Sequence, residues 1–214
     1  SADATNGGDF APEWLIHGIG VMDLPSEKQA AEVLKAQNGL FGLLTLPAHF
    51  DRRIVGSLAA FDWTPSEGMR AQNSALRALA ASSTKIASLT ITEKGYCQDK
   101  NGDLDLGRQD IQSDLEVVRR IVAGKEARSK FQTALGLLAG GLVTRHQQDN
   151  ATPVTLMCCD NLPHNGHVLR QIIGSLLQEA APATAEWVLD DRSNSRSRCH
   201  CHCVLAVPIV DHRF

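Results

Sequence analysis

The chain of 214 residues lacks any apolar run of the roughly 18 residues that a membrane-spanning helix needs. Its richest stretch, Phe131 to Val143, is interrupted by Gly and Thr, so no membrane partner is expected. Aromatic residues are scarce, 5% with a single tyrosine, and the net charge is −3. A nucleic-acid binder needs a basic field for phosphates or an aromatic platform for bases, so no nucleic-acid partner is expected either. G-x-S-x-G, H-E-x-x-H and P-loop patterns are absent, which leaves hydrolase and NTPase chemistry without a signature. The start, Ser1-Ala2-Asp3, has no initiator Met and no secretory pattern, and reads as a cut or an incomplete beginning. What is present is 43% hydrophobic and 21% charged residues, enough to bury a core. A soluble domain with small-molecule partners is the expectation.

The six cysteines fall into two groups. Cys97, Cys158 and Cys159 lie in apolar contexts, where a thiol packs as a small hydrophobe, and suggest a reducing cytoplasm. Cys199, Cys201 and Cys203 crowd together with His200 and His202. Strict alternation splits these ligand types between the two faces of an extended segment, and the flanking Arg and Ser offer no framework. The expectation is a disordered tail with adventitious metal affinity and no metal site. Asp99-x-Asn101-Gly102-Asp103-x-Asp105 has the oxygen ligands of a calcium loop, but Leu104 stands where that loop requires Gly, so the segment predicts a hairpin turning at Asn101-Gly102. Asn150-Ala151-Thr152 matches a glycosylation acceptor and is read as chance.

Residues 1–13 form a loose, small-residue lead-in. Strand patterns follow at Trp14 to Met22, Leu40 to Leu46, Arg53 to Leu58, Lys85 to Thr92 and Pro153 to Cys159. Helical patterns occupy Glu27 to Gln37 with Ser26 as cap, Ser66 to Ala81, Arg108 to Val122, Ala127 to Gln147 and His167 to Ala180. Alternating strands and helices predict an α/β fold with a mainly parallel sheet and helices on both faces, over residues 14–190. Beyond Asp190 the periodicity is lost, and residues 191–214 read as an aberrant tail.

In an open parallel sheet, ligands sit at the carboxyl ends of the strands, where loops diverge and helix N-termini present free N–H groups. Three loops qualify. Gly18-Ile19-Gly20 ends the first strand; the two glycines serve either a dinucleotide approach or close strand packing, since a full fingerprint needs a third Gly. Asp23, just beyond, suits the hydroxyls of an adenosine ribose and repels an extra phosphate. Glu93, after Thr90-Ile91-Thr92, is a carboxylate that gates protons or orients a hydroxyl, or else a surface Glu paired to Lys94. The third loop packs Asp160, Asn161, His164, Asn165 and His167 into a strand-to-helix turn. Asn161 or His164 suits helix capping, yet capping needs one or two such residues and not five. An Asn amide there can donate to a carbonyl oxygen or to the alkoxide formed in hydride transfer.

SLTITEKGYC at Ser88 to Cys97 and VTLMCCDNLPHNGHVLR at Val154 to Arg170 resemble the mannitol dehydrogenase family of long-chain, NAD-dependent polyol dehydrogenases. Members read close to SLTITEGGYC and TVMSCDNLPHNG. LKAQNGLFGL at Leu34 to Leu43 and RRIVGSL at Arg52 to Leu58 are similar too. The resemblance implies a Rossmann-type amino-terminal domain, a helical second domain, and hydride transfer between NAD and a polyol or ketose. It implies that Asn161 holds the substrate oxygen, that Glu93 gates a proton channel, and that Asp23, with Gly18 and Gly20 on the strand before it, lies on the cofactor side. Three departures stand out. Lys94 replaces a Gly; the first β-α unit with its G-x-G-x-F-H-R-A-H-Q loop does not precede Trp14; and no lysine follows Lys130, although the family's general base is a lysine beyond the DNLPHNG loop. The expectation is therefore a fragment, inactive alone, of an enzyme interconverting D-mannitol and D-fructose. The alternatives are a sugar-acid reductase of the same family, acting on fructuronate or tagaturonate, or a non-catalytic nucleotide- or metal-binding remnant.

Overall fold

The structure is a computed structural model that describes residues 14–45, 51–148, 152–189 and 200–203. The lead-in 1–13 and residues 191–199 and 204–214, including Cys199, lie outside the described residues, as do residues 150 and 151 of the glycosylation pattern. The chain forms two compact units, Ser1–Ser74 and Ala75–Phe214.

In the first unit β1 (Ile16–Gly20) pairs parallel with β4 (Leu58–Trp63), and β2 (Phe41–Thr45) pairs antiparallel with β3 (Asp51–Val55). Helix α1 (Pro25–Ala36) packs against β4 and buries Ala31. It begins earlier than its pattern predicts. Pro25 takes the first helical position, where its fixed φ and missing N–H cost nothing, so Leu24 is the cap and Ser26 lies inside the helix. The helix ends at Ala36 with Gln37 as its cap, and the turn that follows passes through Asn38 and Gly39, both with positive φ. Gly39 is required there, because a Cβ would stand 2.2 Å from the Leu58 carbonyl oxygen. The predicted strand Arg53 to Leu58 is in fact two, broken at Gly56-Ser57, with β4 continuing to Trp63.

Helix α2 (Thr64–Ala80) contains a break at Gly68, φ 57°. In the second unit β5 (Ile86–Leu89), β6 (Thr155–Cys158) and β7 (His200–Cys203) form a parallel sheet in that order. Parallel neighbours need long crossovers, supplied by α3 (Gln109–Val122) and α4 (Ala134–His146) between β5 and β6, and by α5 (Asn165–Ala180) and α6 (Pro182–Leu189) between β6 and β7. Leu115, Leu135, Leu156, Leu169, Ile173 and Leu177 are buried in this core. Within the tail expected to be disordered, His200–Cys203 form strand β7. Its His-Cys alternation has the period of a strand, and it extends the sheet with His200 opposite Thr155 and Cys203 opposite Cys158.

Helix α4 is apolar on every face from Ala134 to Val143 and correspondingly buried there. It starts at Ala134, later than its pattern predicts, because Thr133 caps it: the Thr133 hydroxyl accepts from the Gly136 N–H at 2.9 Å and donates to Asp114 of α3 at 2.6 Å. Gly140 and Gly141 admit close neighbours, since Cβ atoms there would stand 2.5 Å from Phe131 and 2.6 Å from Leu79. The turn at Asn101-Gly102 forms the expected hairpin, with Gln98 bridging Leu104 and the Asp99 N–H donating to Asp103 at 2.8 Å. No described helix is long and apolar enough to cross a membrane. Among the described residues no group of three His, Cys, Asp or Glu side chains is placed to hold a metal.

Candidate functional site

Strands β5 and β6 run side by side in the same direction, with Leu89 opposite Cys158, so the segments leaving them emerge at one edge of the sheet. The Cys159 N–H donates to the Leu89 carbonyl at 2.8 Å and carries the pairing one residue further. Beyond it the chains part. Thr90, Ile91, Thr92 and Glu93 line one side of a cleft of about 320 Å³, and Cys159, Asp160, Asn161 and Leu162 line the other. The structure thus brings Glu93 and Asn161 together in one open cleft. Both are exposed, and among the described residues neither side chain is held by an internal hydrogen bond or ion pair, Lys94 included.

Below the cleft lies a buried hydrogen-bond network. Glu93–Tyr96 form one 3-10 turn that delivers Tyr96, the single tyrosine of the chain, fully buried beneath the loop. Its hydroxyl donates to Asp160 Oδ2. Burial, and then the bond to the Asp160 carboxylate, push the Tyr96 phenol far above its ordinary range, so it stays a proton donor at any physiological pH. Asp160 Oδ1 accepts from the Leu162 N–H at 3.1 Å and from the Asn165 amide at 3.0 Å. The same Asn165 amide reaches the carbonyls of Asp160 at 3.2 Å and Cys158 at 3.5 Å. The Cys97 thiol beside this turn is pushed up by burial and is inert at neutral pH.

Helix α5 begins at this network. Its cap residue is His164 in the left-handed region, φ 56°, and no side chain caps it. Neither Asn161 nor His164 therefore performs the capping considered for it from sequence. The His164 carbonyl takes that part, accepting from the N–H groups of His167 at 2.9 Å and Val168 at 3.2 Å. This leaves the Asn161 amide to the cleft.

A profile of the mannitol dehydrogenase Rossmann domain matches residues 11–196. The chain belongs to the mannitol dehydrogenase family. The mannitol 2-dehydrogenase of Cereibacter sphaeroides is 36% identical over 178 residues, covering 82% of this chain and 34% of that protein. The polyol:NADP oxidoreductase of Gluconobacter oxydans is 30% identical over 183 residues, covering 84% and 35%. Among solved structures, a D-sorbitol dehydrogenase in substrate-free form superposes with a TM-score of 0.67 at 29% identity, covering 83% of this chain and 34% of its own. The mannitol 2-dehydrogenase of Pseudomonas fluorescens, solved with NAD and D-mannitol, gives 0.66 at 28% identity, covering 82% and 33%. The chain spans about one third of the length of these relatives. The fold is the Rossmann α/β fold expected of the family, with parallel sheets and covering helices.

The family's remaining candidate positions belong to the first unit. Asp23 is exposed, three residues beyond the end of β1. Gly18 and Gly20 lie opposite Phe61 and Trp63 of β4, and Cβ atoms would stand 2.6 Å and 2.8 Å from those rings. Both glycines thus admit close aromatic packing. The turn after β1 is tied down by Trp63 Nε1 donating to the Met22 carbonyl at 3.1 Å and Thr64 Oγ1 donating to that of Gly20 at 3.2 Å. Burial pushes the Glu27 carboxyl up against the opposing pull of the Met22 N–H, and its Oε2 is buried with no hydrogen-bond partner. A smaller cleft of about 180 Å³ between α1 and β4 is lined by none of the candidate residues.

Sequence reasoning missed the role of Tyr96. The available signal was that the chain has one tyrosine and that it follows the Glu93 loop by three residues. It also missed Asp114 and Arg145, both buried, which hold the scaffold of the second unit.

Proposed function

We propose that the chain forms the dinucleotide-side portion of an NAD-dependent polyol oxidoreductase that passes hydride between D-mannitol and D-fructose. The observation that carries this reading is the shared cleft: a carboxylate, Glu93, and an otherwise unused primary amide, Asn161, line it together at the carboxyl ends of adjacent parallel strands. That edge is where open α/β sheets bind their ligands. The cleft of about 320 Å³ is at the small end for a ligand site, with room for the reacting end of a cofactor and a small polyol. Its polar lining, the Asn161 amide, the Glu93 and Asp160 carboxylates and the hydroxyls of Thr90 and Thr92, is matched to hydroxyl and carbonyl groups.

Asn161 donates its amide N–H to the substrate oxygen and, as hydride leaves the carbon, to the alkoxide character that develops there. Glu93, exposed at the cleft mouth, takes up and releases the proton that must pass between this oxygen and water. Asp23 accepts from the ribose hydroxyls of the adenosine end and repels a 2′-phosphate. Bound NAD supplies the hydride acceptor. The buried thiols Cys97 and Cys158 suit a reducing compartment such as the cytoplasm.

The reading makes a definite demand on the 214-residue chain by itself. The general base the family uses is a lysine beyond the DNLPHNG loop, and the last lysine here is Lys130. Purified chain mixed with NAD and D-mannitol is expected to form little or no NADH. Rates near those of intact family members overturn the proposal that the chain is a partial active site.

A further inference from the structure

We infer that Asp160 is a positioning residue that fixes Asn161 in the cleft by bonding to both cleft walls at once. This rests on the reading of Asn161 as the group that holds the substrate oxygen. Asn161 has no internal hydrogen bond of its own among the described residues, so something else must define where its amide points. Its neighbours are held instead. Asp160 precedes it, and the N–H of Leu162, which follows it, returns to Asp160 Oδ1 at 3.1 Å. The chain is therefore wrapped around the Asp160 carboxylate with Asn161 at the outside of the bend.

The carboxylate is in turn anchored from two directions. The Asn165 amide, nearly fully buried at the start of α5, donates to Oδ1 at 3.0 Å. The Tyr96 hydroxyl donates to Oδ2 from the opposite wall, three residues after Glu93. One carboxylate thus ties the segment bearing Glu93 to the segment bearing Asn161 across the floor of the cleft. Left-handed backbone occurs on both sides of this tie. Of the three described non-glycine residues with positive φ, Cys97 directly follows Tyr96 and His164 closes the Asp160 loop. Both turns are kept in a conformation that ordinary residues avoid, on either side of the same hydrogen bond.

The test uses the full chain and three variants, Asp160→Ala, Asp160→Asn and Tyr96→Phe. In amide hydrogen exchange the Leu162 amide of Asp160→Ala is expected to exchange about tenfold faster or more, through loss of a charge-assisted acceptor. Asp160→Asn, which keeps an acceptor oxygen, is expected to restore most of the protection, and Tyr96→Phe to fall between. Amides of α3 and α4 keep their wild-type rates in all three. In D-mannitol titrations with saturating NADH, Asp160→Ala is expected to weaken mannitol binding about tenfold and Asp160→Asn to recover it. Wild-type exchange at Leu162 in Asp160→Ala, or faster exchange spread through the whole unit, overturns the inference. So does an unchanged mannitol affinity in Asp160→Ala when the wild type binds. Failure of the wild-type chain to bind mannitol at all overturns the functional reading separately, and the exchange data then decide the positioning role alone.

Discussion

Replacing Arg145 tests how the second unit holds the two strands that carry the cleft. The side chain is 1% exposed, in the last turn of α4. Its guanidinium donates to the carbonyls of Leu79, Ala81 and Thr84, on the approach to β5, and of Thr152 and Pro153, on the approach to β6, at 2.6–3.2 Å. It also donates to Thr152 Oγ1 at 2.7 Å. One planar group therefore aligns the entrances of both strands whose exits bear Glu93 and Asn161. A bond from a charged donor contributes roughly 1.5–3 kcal/mol, and several on one group are not additive, because water reaches some of the freed carbonyls. Arg145→Ala is therefore expected to cost about 4 kcal/mol, a large loss for a unit of this size. Arg145→Lys is the sharper variant: it keeps the charge and much of the volume, but three donors on one nitrogen cannot span carbonyls on two separate approaches. It is expected to recover less than about half of the loss. Urea unfolding followed by far-ultraviolet circular dichroism measures both. A Lys variant within about 1 kcal/mol of wild type refutes the reasoning, because charge alone would then suffice.

Asp114 makes stability depend on pH in an unusual direction. Burial pushes its carboxyl up to about 6, against the pull of Thr133 Oγ1, Gln132 N and Thr133 N, which donate to it. With the folded value above the unfolded one, the folded state binds the extra proton between them. On acidification from pH 7 to 4, wild type should therefore gain about 2 kcal/mol relative to Asp114→Asn, read from paired urea unfolding curves; a flat or opposite difference contradicts this. Gly18→Ala places a methyl 2.6 Å from the Phe61 ring and should destabilise by about 1–3 kcal/mol; a melting temperature equal to wild type would show that β1 and β4 relax freely. Asp23→Ser removes the proposed repulsion of a 2′-phosphate, and fluorescence titration should show NADPH affinity rising about tenfold relative to NADH, with an unchanged ratio counting against the assignment.

Much of the fold around the site was legible because its pattern is local. Strand β6 and helix α5 announce themselves by periodicity, and the density of polar residues between them exceeds what a turn requires. What escaped the reading depended on partners distant in the chain. The late start of α4 is set by Asp114 on another helix, which no window around Thr133 contains. Arg145, by position, reads as an ordinary cation near a helix C-terminus, and only the packing of two approaching loops shows it to be buried. Strand β4 was hidden because LAAFDW has small residues where alternation should show, and its neighbour Gly56-Ser57 gave the only break. In the candidate site, Glu93 and Asn161 were each recognisable as strand-end residues. Their shared cleft follows only once β5 and β6 are known to be adjacent. The aromatic rings packed on the first-strand glycines were likewise out of reach of a local pattern, since they come from across the strand pair.

The cleft between the ends of β5 and β6 is proposed to receive the reacting end of a nicotinamide cofactor. Titrating the isotope-labelled chain with NADH and following its backbone amide resonances tests this directly. The expected shifts are concentrated at Thr90 to Glu93 and Cys159 to Leu162, the residues lining that cleft. Saturable NADH binding that leaves those amides unmoved, or no binding at all, contradicts it.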